Sequence, residues 1–270
     1  MFDRSFFIDF SKIDGYQKLI KELRVSNSRQ ISISLTRSVR LPFMAALEVD
    51  INAPILFITS RPDRLQAMHE EYNFWSHKDD HLIFAEPTPL FYECANWDID
   101  VRKDRLQTLI SLAQFHLPYK KRISSGIVIF SSVKSIMTRT APRRDFLSAC
   151  GWLRSGSKAS IADLAQKWTD IGYIYNEIVV SEGQFSKRGG LMDVWPLNSD
   201  MPLRIDFFGD EVESIRLFNP ATQRSTEKIE EFFIPPASEA ILEKENANEM
   251  LAKNPEFYIP KIYPTQATLL

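Results

Sequence analysis

Cysteine is scarce in this chain: Cys94 and Cys150 are the only two in 270 residues. That leaves room for one disulfide at most and reads as free, reduced thiols in a cytoplasmic setting. Histidine is almost as scarce. His69, His77, His81 and His116 fall in no HExxH or CxxC-type frame, so no metal site is expected. His77 and His81 bracket Asp79 and Asp80, but no cysteine or further histidine completes a ligand set, and a solvated loop is the better reading. Basic excess is also missing. Lys and Arg number 33 against 35 Asp and Glu, a net charge of −2. Nothing in that balance neutralises phosphates, which argues against autonomous nucleic-acid binding while leaving a local basic patch open. No apolar run reaches the roughly 18 residues that span a bilayer. Residues 1–14 interleave acids with aromatics, unlike a signal peptide.

What is present begins with alternation of strand and helix. Residues 16–25 have a helical pattern. ISISLT (residues 31–36) reads as a first strand, followed by a helix near residues 41–49. PILFITS (54–60) is a continuous apolar run, the mark of a strand buried on both faces. Residues 62–75 place Leu65, Met68, Tyr72 and Trp75 along one helical face; Phe74 falls off it. HLIFAEP (81–87) and GIVIFSS (126–132) are further strands. Between them residues 102–115 form a helix with Leu106, Leu109, Ile110 and Leu112 inward. A parallel α/β sheet with crossover helices follows.

The texture changes after Pro142. A helix over residues 160–171, capped by Ser160, precedes short alternating strands. IYNEIVVS (174–181) is expected to pair with QFSKR, LMDVWP, PLRIDFF and EVESIRLF in a mostly antiparallel sheet of a second, α+β domain. Beyond Pro236 the chain is acidic and helical to about Lys253, then Pro-punctuated. Its abrupt apolar end, ATLL, suggests a fragment.

Three kinds of chemistry bear on function. A phosphate-cradling loop needs glycines, a lysine and a magnesium-binding hydroxyl. The loop after the first expected strand contains Ser34, Thr36, Arg37, Ser38, Arg40 and Leu41. It has no glycine and no lysine, with Leu41 at the hydroxyl position. The strand GIVIFSS ends without an acidic pair for magnesium. This is the pattern of a loop that lost its ligand. Cys94 near Asp98 lacks an adjacent histidine, and Asp79-Asp80 and Glu230-Glu231 read as solvated faces. The third is docking. In the strand LRIDFF, Leu203, Ile205 and Phe207 share the core face, while Arg204, Asp206 and Phe208 share the other. Phe208 should therefore lie exposed near Arg204, with Arg188 on a nearby strand. An aromatic among arginines has the composition of an interface hot spot. The residues alone leave a docking surface and a solvated sheet face both open.

GQFSKRGGLMDVWP followed by MPLRIDFFGDEVESIRLFNPATQRS resembles the UvrB-homology module at the N-terminus of the bacterial transcription-repair coupling factor family (Mfd). The resemblance is strongest over residues 172–238 and extends more loosely over most of the chain. UvrB itself has a similar segment. UvrB, however, would keep a working phosphate loop and an aromatic-rich hairpin where this chain has only EPTPLFYECANWD. The resemblance implies a degenerate UvrB-like domain 1a over residues 1–145, an inserted domain 2 over 146–234 and the start of domain 1b over 235–270. It implies a non-catalytic adaptor that recruits UvrA in nucleotide excision repair, in the bacterial cytoplasm. Arg188, Arg204 and Phe208 would make the contact, Phe208 filling an apolar pocket between the two arginines; Lys187 and Asp206 would be secondary contacts. ATP and magnesium, RNA polymerase and DNA would be engaged only by motor domains outside this chain. Those C-terminal domains could themselves mask the docking face. The alternative is an ATP-dependent, UvrB-like helicase subunit with an altered nucleotide site.

Overall fold

A computed structural model describes residues 9–25, 30–51, 53–76, 81–89, 93, 95, 97–117, 127–241, 255–263 and 268–269. The turn at Asp79-Asp80, Cys94 and residues 242–253 of the expected acidic helix lie outside them; the start of that helix is corrected, since residues 237–241 are not helical. The described residues divide into two compact units: those within Met1–Glu86 and Pro118–Ser135, and those within Pro87–Leu117 and Ile136–Leu270.

In the first unit, α1 (Asp14–Val25) buries Tyr16, Leu19 and Ile20, spaced i, i+3, i+4. The helix α2 (Arg40–Asp50) contributes Leu41, Met44 and Ala45 to a core shared with Leu65 and Tyr72 of α3 (Leu65–Trp75). Three parallel strands complete it: β1 (Ile55–Thr59), β2 (His81–Phe84) and β3 (Val128–Ser132), in the order β1-β3-β2. The central β3 is buried throughout. Along it, Phe130 is in register with both Phe57 and Ile83. Glu48 of α2 is buried. It accepts hydrogen bonds at Oε2 from Tyr72 Oη and Ser76 Oγ, each 2.8 Å, with His81 Nε2 at 3.4 Å. A buried carboxylate persists only when so many donors face it.

Two expectations for this unit are corrected. ISISLT forms no strand: residues 31–36 run without ladder partners. Ile31 and Leu35 instead pack against the Phe10, Tyr16, Phe43 cluster, and Ile33 between them stays exposed, which strict alternation does not produce. PILFITS is a strand, but half-buried rather than buried on both faces, because it lies at the sheet edge.

The second unit contains α4 (Ile99–His116), α6 (Arg143–Ala149), β4 (Gly151–Arg154) and α7 (Ile161–Asp170), while α5 (Val133–Met137) begins in the first unit and ends in this one. Leu106, Leu109 and Ile110 of α4 are buried, and Leu112 is half-buried. Ser160 caps α7, its Oγ accepting from the Asp163 amide at 3.4 Å. Ile161, Leu164, Ala165 and Trp168 then form the stripe that covers the sheet. That sheet has six strands: β5 (Ile174–Tyr175), β6 (Gln184–Arg188), β7 (Leu191–Val194), β8 (Leu203–Phe208), β9 (Glu211–Phe218) and β10 (Ser225–Ile229). They are ordered β10-β9-β8-β7-β6-β5, antiparallel except for the β5–β6 pair. A last strand, β11 (Glu231–Ile234), pairs with β4. Phe185, Met192, Val194, Leu203, Ile205 and Ile215 meet α7 at the core.

IYNEIVVS is corrected as well: only Ile174 and Tyr175 join the sheet, and in parallel. The next residues leave because side chains replace the ladder. Gln184 Oε1 accepts from the Val180 and Ser181 amides, and Arg188 donates to the Glu177 carbonyl. Gly172 closes α7 with φ +96°. A Cβ there would lie 2.6 Å from Ser238 Cβ and 2.9 Å from its nitrogen, so the return of the chain past α7 requires glycine.

Candidate docking surface

The loop over residues 34–41 comes first, since a parallel sheet invites a phosphate. Arg37–Val39 form a short 3-10 turn leading into α2. Arg40 Nε donates to the Leu35 carbonyl at 3.4 Å. Ser34, Thr36 and Ser38 are exposed, whereas Leu41 is buried among Met44, Tyr72 and Val128. The position where a magnesium-binding hydroxyl would stand is thus a core position. Among the described residues, no group of three or more His, Cys, Asp or Glu is placed to hold a metal ion.

The outer face of the six-stranded sheet, away from α7, is polar and organised in rows. Pairing puts Ser186, Asp193, Arg204, Arg216 and Lys228 side by side across β6 to β10. The next row is Arg188, Leu191, Asp206 and Ser214. Phe208 lies beyond it, opposite Glu211. Cross-strand neighbours at these spacings are close enough to pair.

Arg204 is engaged on every side. Its Nε and Nη2 reach the two carboxylate oxygens of Asp193, each at 2.8 Å. Nη1 donates to the Gln223 carbonyl at 2.8 Å, and Nη2 also reaches Gln223 Oε1 at 3.3 Å. The guanidinium stacks 4.4 Å from the ring centroid of Phe218. Phe218 shares the face of Arg216, yet it is fully buried, roofed by Arg204. The hydrogen bonds to Asp193 hold the guanidinium pKa above its ordinary value against the opposing effect of burial. Gln223 is the only described non-glycine residue with positive φ, +59°. It sits in the β9–β10 turn, where Asn219 Oδ1 accepts from the amides of Ala221 and Thr222.

Asp206 is likewise engaged, by Ser214 Oγ at 2.6 Å and by Arg216 Nη2. Arg188 is exposed at the end of β6 and donates to the Glu177 carbonyl. Lys187 is exposed too, but its register with Met192 and Ile205 sends it to the opposite sheet face from Arg188. Phe208 is 81% exposed, as its alternation with Phe207 requires. Arg204 and Phe208 share a strand and a face, roughly 13 Å apart along it. The Arg204 guanidinium, however, leans on residues at the Leu203 end, where the Phe218 amide donates to the Pro202 carbonyl. Asp193, Phe218 and Gln223 escaped the sequence reading. The Asn219-Pro220 dipeptide was the available signal for the turn that carries Gln223.

Residues 152–239 match a family described as the UvrB interaction domain. The chain is 28% identical over 240 residues to the transcription-repair-coupling factor of Bacillus subtilis (strain 168), covering 89% of this chain and 20% of that protein. It is 30% identical over 213 residues to the factor of the same name in Staphylococcus aureus (strain MRSA252), covering 78% of this chain and 17% of that one. It is also 26% identical over 242 residues to the UvrABC system protein B of Thermotoga neapolitana, covering 85% of this chain and 35% of that protein. The chain is therefore homologous, over most of its length, to the N-terminal region of the transcription-repair coupling factors. It spans about a fifth of the length of the Bacillus relative.

Proposed function

We propose that this homologue of the coupling factors' N-terminal region is a non-catalytic docking module that engages UvrA in transcription-coupled nucleotide excision repair. One observation carries the reading: the six-stranded sheet, which falls within the stretch matched by the UvrB interaction domain, presents a solvent-exposed Phe208 on the same face as Arg188. Exposed aromatic and arginine side chains on one face are the anchor types that interfaces use. Arg188 offers donors to a carboxylate, and Asp206 flanks the site as a secondary contact, whereas Lys187, expected beside it, stands on the opposite face of the sheet. ATP, magnesium, DNA and RNA polymerase belong to domains outside this chain, and those domains are a second candidate to cover the same face.

The UvrB-like, ATP-dependent alternative is disfavoured by the buried Leu41 at the phosphate loop. The test is calorimetric titration with UvrA. The wild-type chain is expected to bind saturably, and Phe208→Ala to weaken binding by about tenfold, the 1.4 kcal/mol that a partly buried aromatic supplies. No binding by the wild-type chain overturns the docking reading. Heat stabilisation by ATP and magnesium would favour the alternative.

A further inference from the structure

The structure assigns Arg204 a positioning role: it holds the Asn219–Arg224 turn in shape on the outer sheet face, and does not itself reach a partner. This inference rests on the docking reading for its functional meaning, but its structural half stands on the chain alone.

The argument is one of donor inventory. A guanidinium has five N–H donors in a planar fork, and the fork suits one carboxylate at a time. Here the Nε–Nη2 edge of Arg204 is occupied by Asp193, which is itself buried. Nη1 is given to a main-chain carbonyl in the turn, that of Gln223. One flat face of the group lies on the buried ring of Phe218. The Arg204 side chain retains only 17% exposure. A partner carboxylate seeking a bidentate contact would have to displace Asp193 and leave a buried carboxylate without its cation, which is costly.

The turn, for its part, needs a strut. Gln223 has its backbone in the left-handed region, where residues other than glycine are strained. Such a conformation persists when its surroundings over-determine it. Arg204 takes both the carbonyl and the side-chain oxygen of Gln223. The Gln223 side chain in turn donates from Nε2 to the Pro220 carbonyl at 2.8 Å. Removing Arg204 removes two of the bonds that hold this geometry and unroofs Phe218. The exposed Thr222 and Arg224 are carried by the same turn and would move with it.

Amide hydrogen exchange on the chain alone separates positioning from contact. In Arg204→Ala, the amides of Asn219 and Gln223, bonded to the Arg224 and Asn219 carbonyls, are expected to exchange at least about tenfold faster. The Phe207 amide, bonded to the Gly190 carbonyl, should be unchanged. If Arg204→Ala exchanges faster everywhere, the near-isosteric Asp193→Asn decides: selective acceleration at the turn supports positioning. Unchanged exchange at the turn in both variants overturns it. Titration with UvrA provides the second readout. Positioning predicts that Asp193→Asn weakens binding several-fold and that Arg204→Ala keeps the wild-type salt dependence. Direct contact predicts that Asp193→Asn, by releasing the guanidinium, binds equally or more tightly, and that Arg204→Ala loses part of the salt dependence; that pair of results overturns the inference. If the wild-type chain does not bind UvrA, the docking reading falls and the exchange data alone judge Arg204.

Discussion

Arg105 of α4 and Glu239, 134 residues later, form a fully buried, bidentate ion pair: Nε to Oε1 at 2.7 Å and Nη2 to Oε2 at 3.1 Å. The Trp97 ring lies 5.0 Å from the guanidinium. The pair ties the segment that returns after the sheet to the long helix of the same unit. Removing one member strands the other charge away from water. Glu239→Ala is expected to cost about 3–5 kcal/mol in urea unfolding, and an apolar replacement of both residues far less. A loss below about 1 kcal/mol for the single variant would contradict the burial described.

Gly172→Ala should be among the most damaging small substitutions in the chain. The left-handed backbone alone costs an L-residue about 1–2 kcal/mol, and the new Cβ would overlap Ser238. Thermal unfolding compared with Gly156→Ala checks this. Gly156 has φ +78° with nothing within 4 Å of the added carbon, so it isolates the backbone share.

Phe208→Ala should leave stability within about 0.5 kcal/mol of wild type, since the ring is already in water. Coincident thermal melts, together with weakened UvrA binding, would assign the loss to the interface.

Cys150 has its thiol pushed up to about 12 by burial, only partly offset by Lys167. Its Sγ also donates to the Phe146 carbonyl at 3.2 Å. At pH 8 its thiolate fraction is on the order of 10⁻⁴, against roughly a quarter for an ordinary thiol. In a Cys94→Ser background, alkylation should be about a thousandfold slower in the folded protein than in urea. Comparable rates would refute the assignment.

Burial raises the pKa of Glu256 despite Arg102 Nη1 at 3.7 Å. Between the ordinary carboxylate pKa and the raised one, the folded state holds more protons than the unfolded state. Stability therefore falls as pH rises through that window, and this contribution is fully present only below about pH 4.3. Glu256→Gln should gain on wild type as pH rises through the window and show no gain below it. A constant difference across pH would remove Glu256 as the cause.

Periodicity carried much of the fold. Alternation placed Leu203, Ile205 and Phe207 inward and Phe208 outward, and helical spacing found α3 through Leu65, Tyr72 and Trp75. It failed where one pattern serves two purposes. Ile31, Ile33 and Leu35 alternate as a strand would, yet Ile31 and Leu35 cover an aromatic cluster and Ile33 stays exposed. The segment after Tyr175 looks like a strand until Gln184 and Arg188 take its backbone groups. In the candidate site, periodicity named the face but not the partners. That Arg204 meets Asp193 depends on register between β7 and β8, and that it meets Gln223 depends on a turn geometry that alternation does not encode.

The six-stranded sheet is poorly suited to growth at either margin. At one side β5 supplies two residues before the chain departs; at the other, β10 exposes Glu227 and Lys228. Short and charged margins resist annealing with a foreign strand. A partner docked on this sheet would be held by side-chain chemistry across its breadth, so its choice could be retuned one residue at a time without altering the backbone that presents it.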